Sequence, residues 1–277
     1  DIARLARDAA GEAIAEPEIA RLAHATPAEA RALLATEGYM DAEVRTERAI
    51  DTGTARPLVR VIVNPGARTV VASARLKVGG ALAEAAAAGD ERARALIDEW
   101  QAAWSLPAGR AFTNAAWRDA KSAALARLRS AGYAAASWFD TAADIDADRA
   151  RATLKLEAAS GPLYRVGALV IEGLERHDDK SVRHLAGFGP GAPATEMLLL
   201  DYQERLQRSG LFERVSVTLE AEANQAAAAP VVVRVREAPL QQATVGLGIS
   251  ANSGARVSLE HLHRRVFGQR ATLRNKL

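Results

Sequence analysis

The spacing of apolar positions changes at glycines along this chain. Leu199, Tyr202 and Leu206 recur at intervals of three and four with Asp201, Glu204, Arg205 and Arg208 between them, which predicts an amphipathic helix ending near Ser209. Beyond Gly210 the pattern becomes strict alternation. Val215, Val217 and Leu219 are separated by Ser216 and Thr218 and followed by Glu220, which predicts a strand with one buried and one wet face. A glycine just past a helix end can take the left-handed conformation that stops the helix, so Gly210 reads as a structural hinge. The same switch recurs at Gly38, within LLATEGYMDAEVRTE, and at Gly132, within LARLRSAGYAAASWFD. A second mark, a glycine that leads into a strand, occurs at Gly66 and again at Gly161. Units of this size are whole small domains, since solenoid repeats run to roughly 20–50 residues.

The spacing of these marks predicts an α+β chain of three small units in 1–65, 66–160 and 161–238, with a different segment in 239–277. The second unit reads as strand, helix, helix, strand, strand. Its parts are GARTVVASARLKV, a helix over Gly89–Trp104, a helix over Thr113–Gly132, a strand near Ala134–Asp140 and a strand near Arg151–Ala158. The third unit repeats that order from YRVGALVIEGL to the strand Val231–Arg236. The first unit lacks its opening strand. Its second helix is expected to open at Thr26, Pro27 and Glu29, a capping box with proline at the first helical position, and the unit to close on Val59, Val61 and Val63.

From about Pro239 the grammar is strand only. Val245, Leu247 and Ile249 alternate with Thr244, Gly246, Gly248 and Ser250. A turn is expected at Asn252–Gly254, and Val257 and Leu259 alternate after it. One apolar face and one small or polar face fit a membrane β-barrel strand, and equally a soluble hairpin.

Composition narrows the chemistry. Aromatics are only 5%, so the cores are expected to be filled by Ala, Val and Leu. The 36 Lys and Arg are nearly balanced by 34 Asp and Glu, with no basic run interleaved with aromatics, which argues against nucleic acid. The absence of cysteine excludes disulfides, thiolate metal sites and cysteine nucleophiles. No stretch is apolar for long enough to be a membrane-spanning helix, and the missing initiator Met reads as a processed or trimmed start. No hydrolase or phosphate-cradling motif is present, so no catalytic residue, cofactor or metal is expected. His261 and His263 share a strand face, but two ligands without a third do not make a zinc site. Asp144, Asp146 and Asp148 alternate as in a calcium loop, yet Arg149 and Lys155 stand where a glycine and a glutamate are needed, so a solvated hairpin loop is expected.

The repeated unit, its glycine hinge and above all SGLFERVSVTLE resemble the POTRA domain. Tandem POTRA units running into antiparallel membrane strands resemble the outer-membrane assembly superfamily that includes the BamA-like, TamA-like and two-partner secretion proteins. The count of three units is similar to the TamA-like branch, with residues 239–277 as the first strands of a truncated barrel. The resemblance implies mixed three-stranded sheets with two helices on one face and an outer-membrane location with residues 1–238 in the periplasm. It also implies a non-enzymatic role in assembling or inserting outer-membrane proteins. Expected partners are unfolded outer-membrane or autotransporter clients, a TamB-like inner-membrane-anchored protein, and outer-membrane lipid through the barrel. The expected mechanism is strand addition along a sheet edge at Val215, Ser216, Val217, Thr218 and Leu219, with equivalents around Ala42–Thr46 and Ala135–Phe139. By the same resemblance Thr244, Val245, Gly246, Leu247, Gly248 and Ile249 would form the seam strand that opens to admit a client. Docking of the TamB-like partner, including lipid traffic, is the alternative role, and a BamA-like or two-partner transporter the alternative identity.

Overall fold

The computed structural model describes residues 16–50, 57–239, 241–250, 254–263 and 273–276. The expected opening of the first unit, the turn at Asn252–Gly254 and the end of the tail therefore lie wholly or partly outside the described residues. The chain divides into two compact units, Asp1–Pro162 and Leu163–Leu277.

The described part of the first unit includes α1 (Glu16–Thr36), then β1 (Glu43–Ile50) and β2 (Pro57–Asn64), which pair antiparallel with Glu43 opposite Asn64. The capping box expected at Thr26 does not form, because α1 runs straight through Pro27. The Thr26 hydroxyl instead donates back to the Leu22 carbonyl at 2.7 Å. Proline has no N–H, so the Ala23 carbonyl loses its helical partner. Thr46 of β1 supplies a replacement, its hydroxyl donating to Ala23 O at 2.9 Å. A strand residue thus completes a helix that its local sequence would break. Thr46→Val keeps the shape and removes the donor, and is expected to cost about 1 kcal/mol in chemical denaturation; an unchanged midpoint would show that water serves Ala23 equally well.

The same unit continues with β3 (Val70–Gly79), α2 (Ala81–Ala87), α3 (Glu91–Ala102), α4 (Asn114–Ser130), β4 (Ser137–Asp146) and β5 (Arg151–Ala159). The sheet order is β3-β5-β4, with β3 parallel and β4 antiparallel to the central β5. Alternation places Ala152, Leu154, Leu156 and Ala158 of β5 in the core beneath Ala120, Ala124 and Leu128 of α4. Alanine there lets the aromatic Trp100 fit, and its buried indole N–H donates to Ala124 O at 2.9 Å. Thr113 caps α4 by accepting from Ala116 N at 3.0 Å. The extra helix α2 is a finding. Its alanines carry no periodic signal, and its start is fixed from afar by buried Ser160, whose Oγ accepts from Leu82 N at 3.1 Å. The expected loop after Asp140 is also shorter than read, since β4 continues to Asp146 and only 147–150 turn.

The second unit contains β6 (Val166–Glu172), α5 (Asp179–His184), α6 (Glu196–Arg208), β7 (Phe212–Leu219) and β8 (Ala229–Glu237). Its order β6-β8-β7 repeats the topology of the preceding sheet, parallel then antiparallel. The α+β class of mixed three-stranded sheets with helices is therefore borne out. A third three-stranded sheet follows, in which β9 (Gln241–Ser250) pairs antiparallel with β10 (Gly254–His263) and β10 with β11 (Leu273–Lys276). No helix among the described residues is long and apolar enough to cross a membrane.

Candidate functional site

Val215, Ser216, Val217, Thr218 and Leu219 of the third repeat all lie in β7, which among the described residues is an outer strand paired with β8. Two hydrogen bonds fix which backbone groups face outward. Glu220 N donates inward to Pro230 O at 2.9 Å, whereas Val217 N points away from the sheet and donates to Gln203 Oε1 of α6 at 3.1 Å. Backbone direction alternates along an antiparallel strand. Ser216 and Thr218 therefore turn their N–H and C=O toward β8, while Val215, Val217 and Leu219 turn theirs toward the open edge. The alternation begins only after a bulge at Glu213, between the pairs Phe212–Glu237 and Arg214–Arg236. Side chains follow a separate logic: Val215 is buried, Val217 and Leu219 are half-buried, and Ser216 and Thr218 are exposed.

Helix α6 supports this edge. Tyr202 and Leu206 are fully buried, and Thr195 caps the helix start by accepting from Leu198 N at 3.3 Å. The Tyr202 hydroxyl donates to Val182 O at 3.0 Å, and burial pushes its pKa up to about 12, so it stays a neutral donor. Arg205 donates to Ala186 O and ties α6 to the end of α5. Met197, Leu200 and Gln203 follow at intervals of three and form one ridge of the helix. Met197 is 73% and Leu200 53% exposed. The ridge that delivers Gln203 to the strand edge is thus apolar and open to solvent along its first part.

Below the edge, Glu237 ends β8 with its side chain buried. One carboxylate oxygen accepts from Glu175, Arg176 and His177 N at 3.0, 2.9 and 2.9 Å, and the other from Arg176 Nε at 2.8 Å. Burial pushes the carboxyl up, but the backbone donors of Arg176, His177 and Glu175 and the guanidinium outweigh it and hold the pKa at about 2. The carboxylate thereby pins the loop that enters α5 against β7, where the His177 ring also meets Phe212 edge-on at 5.9 Å.

The remaining expected residues fall elsewhere. Thr244, Val245, Gly246, Leu247, Gly248 and Ile249 lie in β9, an outer strand opposite Glu260 to Ala255 of β10, and Val245 is 64% exposed. Residues around Ala135–Phe139 lead into β4, also an outer strand, where a bulge leaves Phe139 76% exposed. Residues 42–46 lead into β1, which pairs with β2. The three hinge glycines have φ values of +94°, +102° and +69° at Gly38, Gly132 and Gly210. Asp144 and Asp146 sit in β4. The Asp146 carboxyl is lowered mainly by the backbone N–H of Arg149 and then by its guanidinium. Among the described residues no cluster of three or more His, Asp or Glu could hold a metal.

Gln203 and Glu237 were not singled out in the sequence. Glu237 does leave a signal, because it occupies the buried phase of the alternation Val231, Val233, Val235, where a carboxylate needs buried partners. Gln203 leaves none, since a glutamine on a helix flank reads as solvated.

Residues 164–238 match the family model described as POTRA, surface antigen variable number repeat. No curated protein matches the chain in sequence. Among solved structures, BamA from Haemophilus ducreyi lacking POTRA domains 1–3 is 16% identical with a TM-score of 0.55, over 75% of this chain and 36% of that one. Haemophilus influenzae BamA POTRA3-5 is 22% identical with a TM-score of 0.46, over 74% and 76% of the two chains. CdiB from Acinetobacter baumannii is 11% identical with a TM-score of 0.41, over 76% and 38%. The chain thus spans about a third of the Haemophilus ducreyi BamA chain, and at 16% identity the likeness to it is one of fold.

Proposed function

From the premise that residues 164–238 are a POTRA domain, we propose that the chain belongs to a BamA/Omp85-superfamily protein that assembles or secretes outer-membrane proteins. In this reading 1–65, 66–160 and 161–238 are three POTRA units in the periplasm of a Gram-negative bacterium, and 239–277 begins a barrel in the outer membrane, with lipid on its outer face. The TamA-like arrangement remains our preferred one for three such units. No covalent chemistry is required of it, and the role is not enzymatic.

The observation that carries the proposal is the β7 edge. Val215, Val217 and Leu219 turn backbone groups outward, with the Val217 N–H held by Gln203, and such edge groups would pair with an extended chain whatever its sequence. Each such bond is worth roughly 0.5–1.5 kcal/mol net, against an association cost of about 4–15 kcal/mol. Backbone pairing alone is therefore weak and reversible, which suits transfer of a client to the barrel. Tighter capture needs apolar area, and the exposed Met197 and Leu200 ridge offers it, at about 2 kcal/mol for a buried leucine. In β9, Gly246 and Gly248 weaken strand pairing, which is the property wanted in a seam strand that opens.

Photoreactive residues at Ser216 and Thr218, on the solvent face of β7, test this in the full-length membrane protein. Clients of the autotransporter type and a TamB-like partner are supplied separately. Crosslinks to nascent barrel strands support client handling. Crosslinks confined to the partner make these domains a docking platform, including for lipid traffic, and overturn the client reading.

A further inference from the structure

Val217 is the middle one of the three outward-facing residues of β7, and its N–H is already engaged. Gln203 Oε1 accepts it at 3.1 Å from a half-buried position on α6. A side-chain amide offers the same carbonyl acceptor as a peptide group. A strand added to β7 would bring a peptide carbonyl to that same N–H, and the two acceptors cannot both occupy it. We propose that Gln203 is a displaceable stand-in for the partner's peptide carbonyl, so that an extended chain docks on β7 by taking the Val217 N–H from it. This rests on the strand-addition reading above and adds to it a gate at one residue.

The preceding sheet carries a matching device with the polarity reversed. On its outer strand β3 the Leu76 carbonyl accepts from Gln101 Nε2 of α3 at 3.0 Å. A glutamine amide has both a donor and an acceptor, so it can close either kind of edge group. Open strand edges are templates for unwanted pairing, and proteins cover them. Glutamine covers an edge differently from a bulge or a proline. Its flexible side chain can rotate away without moving the backbone, and water can then solvate the freed amide. Exchange of Gln203 for a peptide carbonyl replaces one hydrogen bond by another, so the gate selects against chains that fail to supply a carbonyl at Val217 while adding only a small barrier for those that do.

The test compares the full chain with Q203M, which keeps the length but has no strong acceptor, and Q203E, whose carboxylate accepts more strongly than an amide. The probe is a blocked peptide of alternating threonine and valine flanked by lysine, with affinity read by fluorescence anisotropy and Val217 amide exchange read by NMR. Q203M is expected to bind the peptide about twofold to tenfold more tightly, the equivalent of one net hydrogen bond. Its Val217 amide is expected to exchange faster than in the parent when no peptide is present. Q203E is expected to bind more weakly than the parent at neutral pH and to recover as pH falls through the ordinary glutamate range. Equal affinities in all three proteins would overturn the gate and leave strand addition standing. Unchanged Val217 exchange in Q203M would also overturn it. Absence of binding by every variant would sink the gate together with strand addition on β7.

Discussion

Gly38→Ala is expected to destabilise the first unit by about 3 kcal/mol, whereas Gly210→Ala, at the matching hinge, is expected to cost the second unit only about 1 kcal/mol. Both glycines have positive φ, +94° and +69°, and a Cβ in that region costs about 1–2 kcal/mol. Their surroundings differ. A Cβ on Gly210 meets nothing within 4 Å, while one on Gly38 would stand 2.2 Å from the Phe112 carbonyl oxygen. That oxygen is backbone and has no rotamer by which to yield. Gly38 also accepts from Thr69 N at 2.8 Å, while Arg68 Nε donates to Glu37 O at 3.0 Å and its guanidinium lies over the Tyr39 ring at 5.7 Å. The helix end of the first repeat is thus clamped to the strand entry of the second, and an added methyl group forces the clamp apart. All four tryptophans, Trp100, Trp104, Trp117 and Trp138, belong to this unit. Denaturation followed by tryptophan fluorescence should show the loss for Gly38→Ala and none for Gly210→Ala. A loss of only about 1 kcal/mol for Gly38→Ala, the cost of the left-handed backbone alone, would mean that Gly38 is only a hinge.

Glu237→Gln is expected to remove about 2–3 kcal/mol from the second unit and most of that unit's acid sensitivity. The carboxyl sits at about 2 in the folded chain against 4.5 as its ordinary value. A lowered pKa means stabilisation that is fully present above about 4.5 and is lost as pH falls through about 2. The shift corresponds to about 3 kcal/mol. A glutamine keeps the shape and one acceptor, but it faces the Arg176 guanidinium without a charge. Circular dichroism should resolve a loss of second-unit structure between pH 4.5 and 2 in the parent protein and a flatter profile in the variant. The tryptophan signal, which reports the first unit, should be the same in both. A parallel pH profile in parent and variant would assign the acid response to other groups.

Much of the fold could be read from periodicity because the relevant information is local. The change from helical spacing to alternation at Gly210 marks α6 and β7, and the same change at Gly132 marks α4 and the approach to β4. What escaped depends on residues distant in sequence. Pro27 ends a helix by every local rule, and α1 continues because Thr46, in a strand, replaces the missing donor. Helix α2 has no apolar period, and its start is held by Ser160. At the candidate site, the alternation of Val215, Val217 and Leu219 was legible, but which backbone groups they turn outward was not. That depends on the bulge at Glu213 and on pairing with β8. Gln203 could not be read at all, because a helix glutamine that reaches a strand edge and one in water share the same sequence neighbourhood.

The parallel pairing of the first and last strands in two of the sheets has a mechanical consequence. In the pair β6 and β8, the chain enters at one end of the hydrogen-bonded ladder and leaves at the other, and β3 and β5 repeat this. Tension applied along the chain would slide these strands past each other, so the bonds between them share the load in shear. A hairpin pulled by its two ends would instead unzip one bond at a time. Each of these two sheets would therefore resist a pull along the chain better than a hairpin of the same number of bonds.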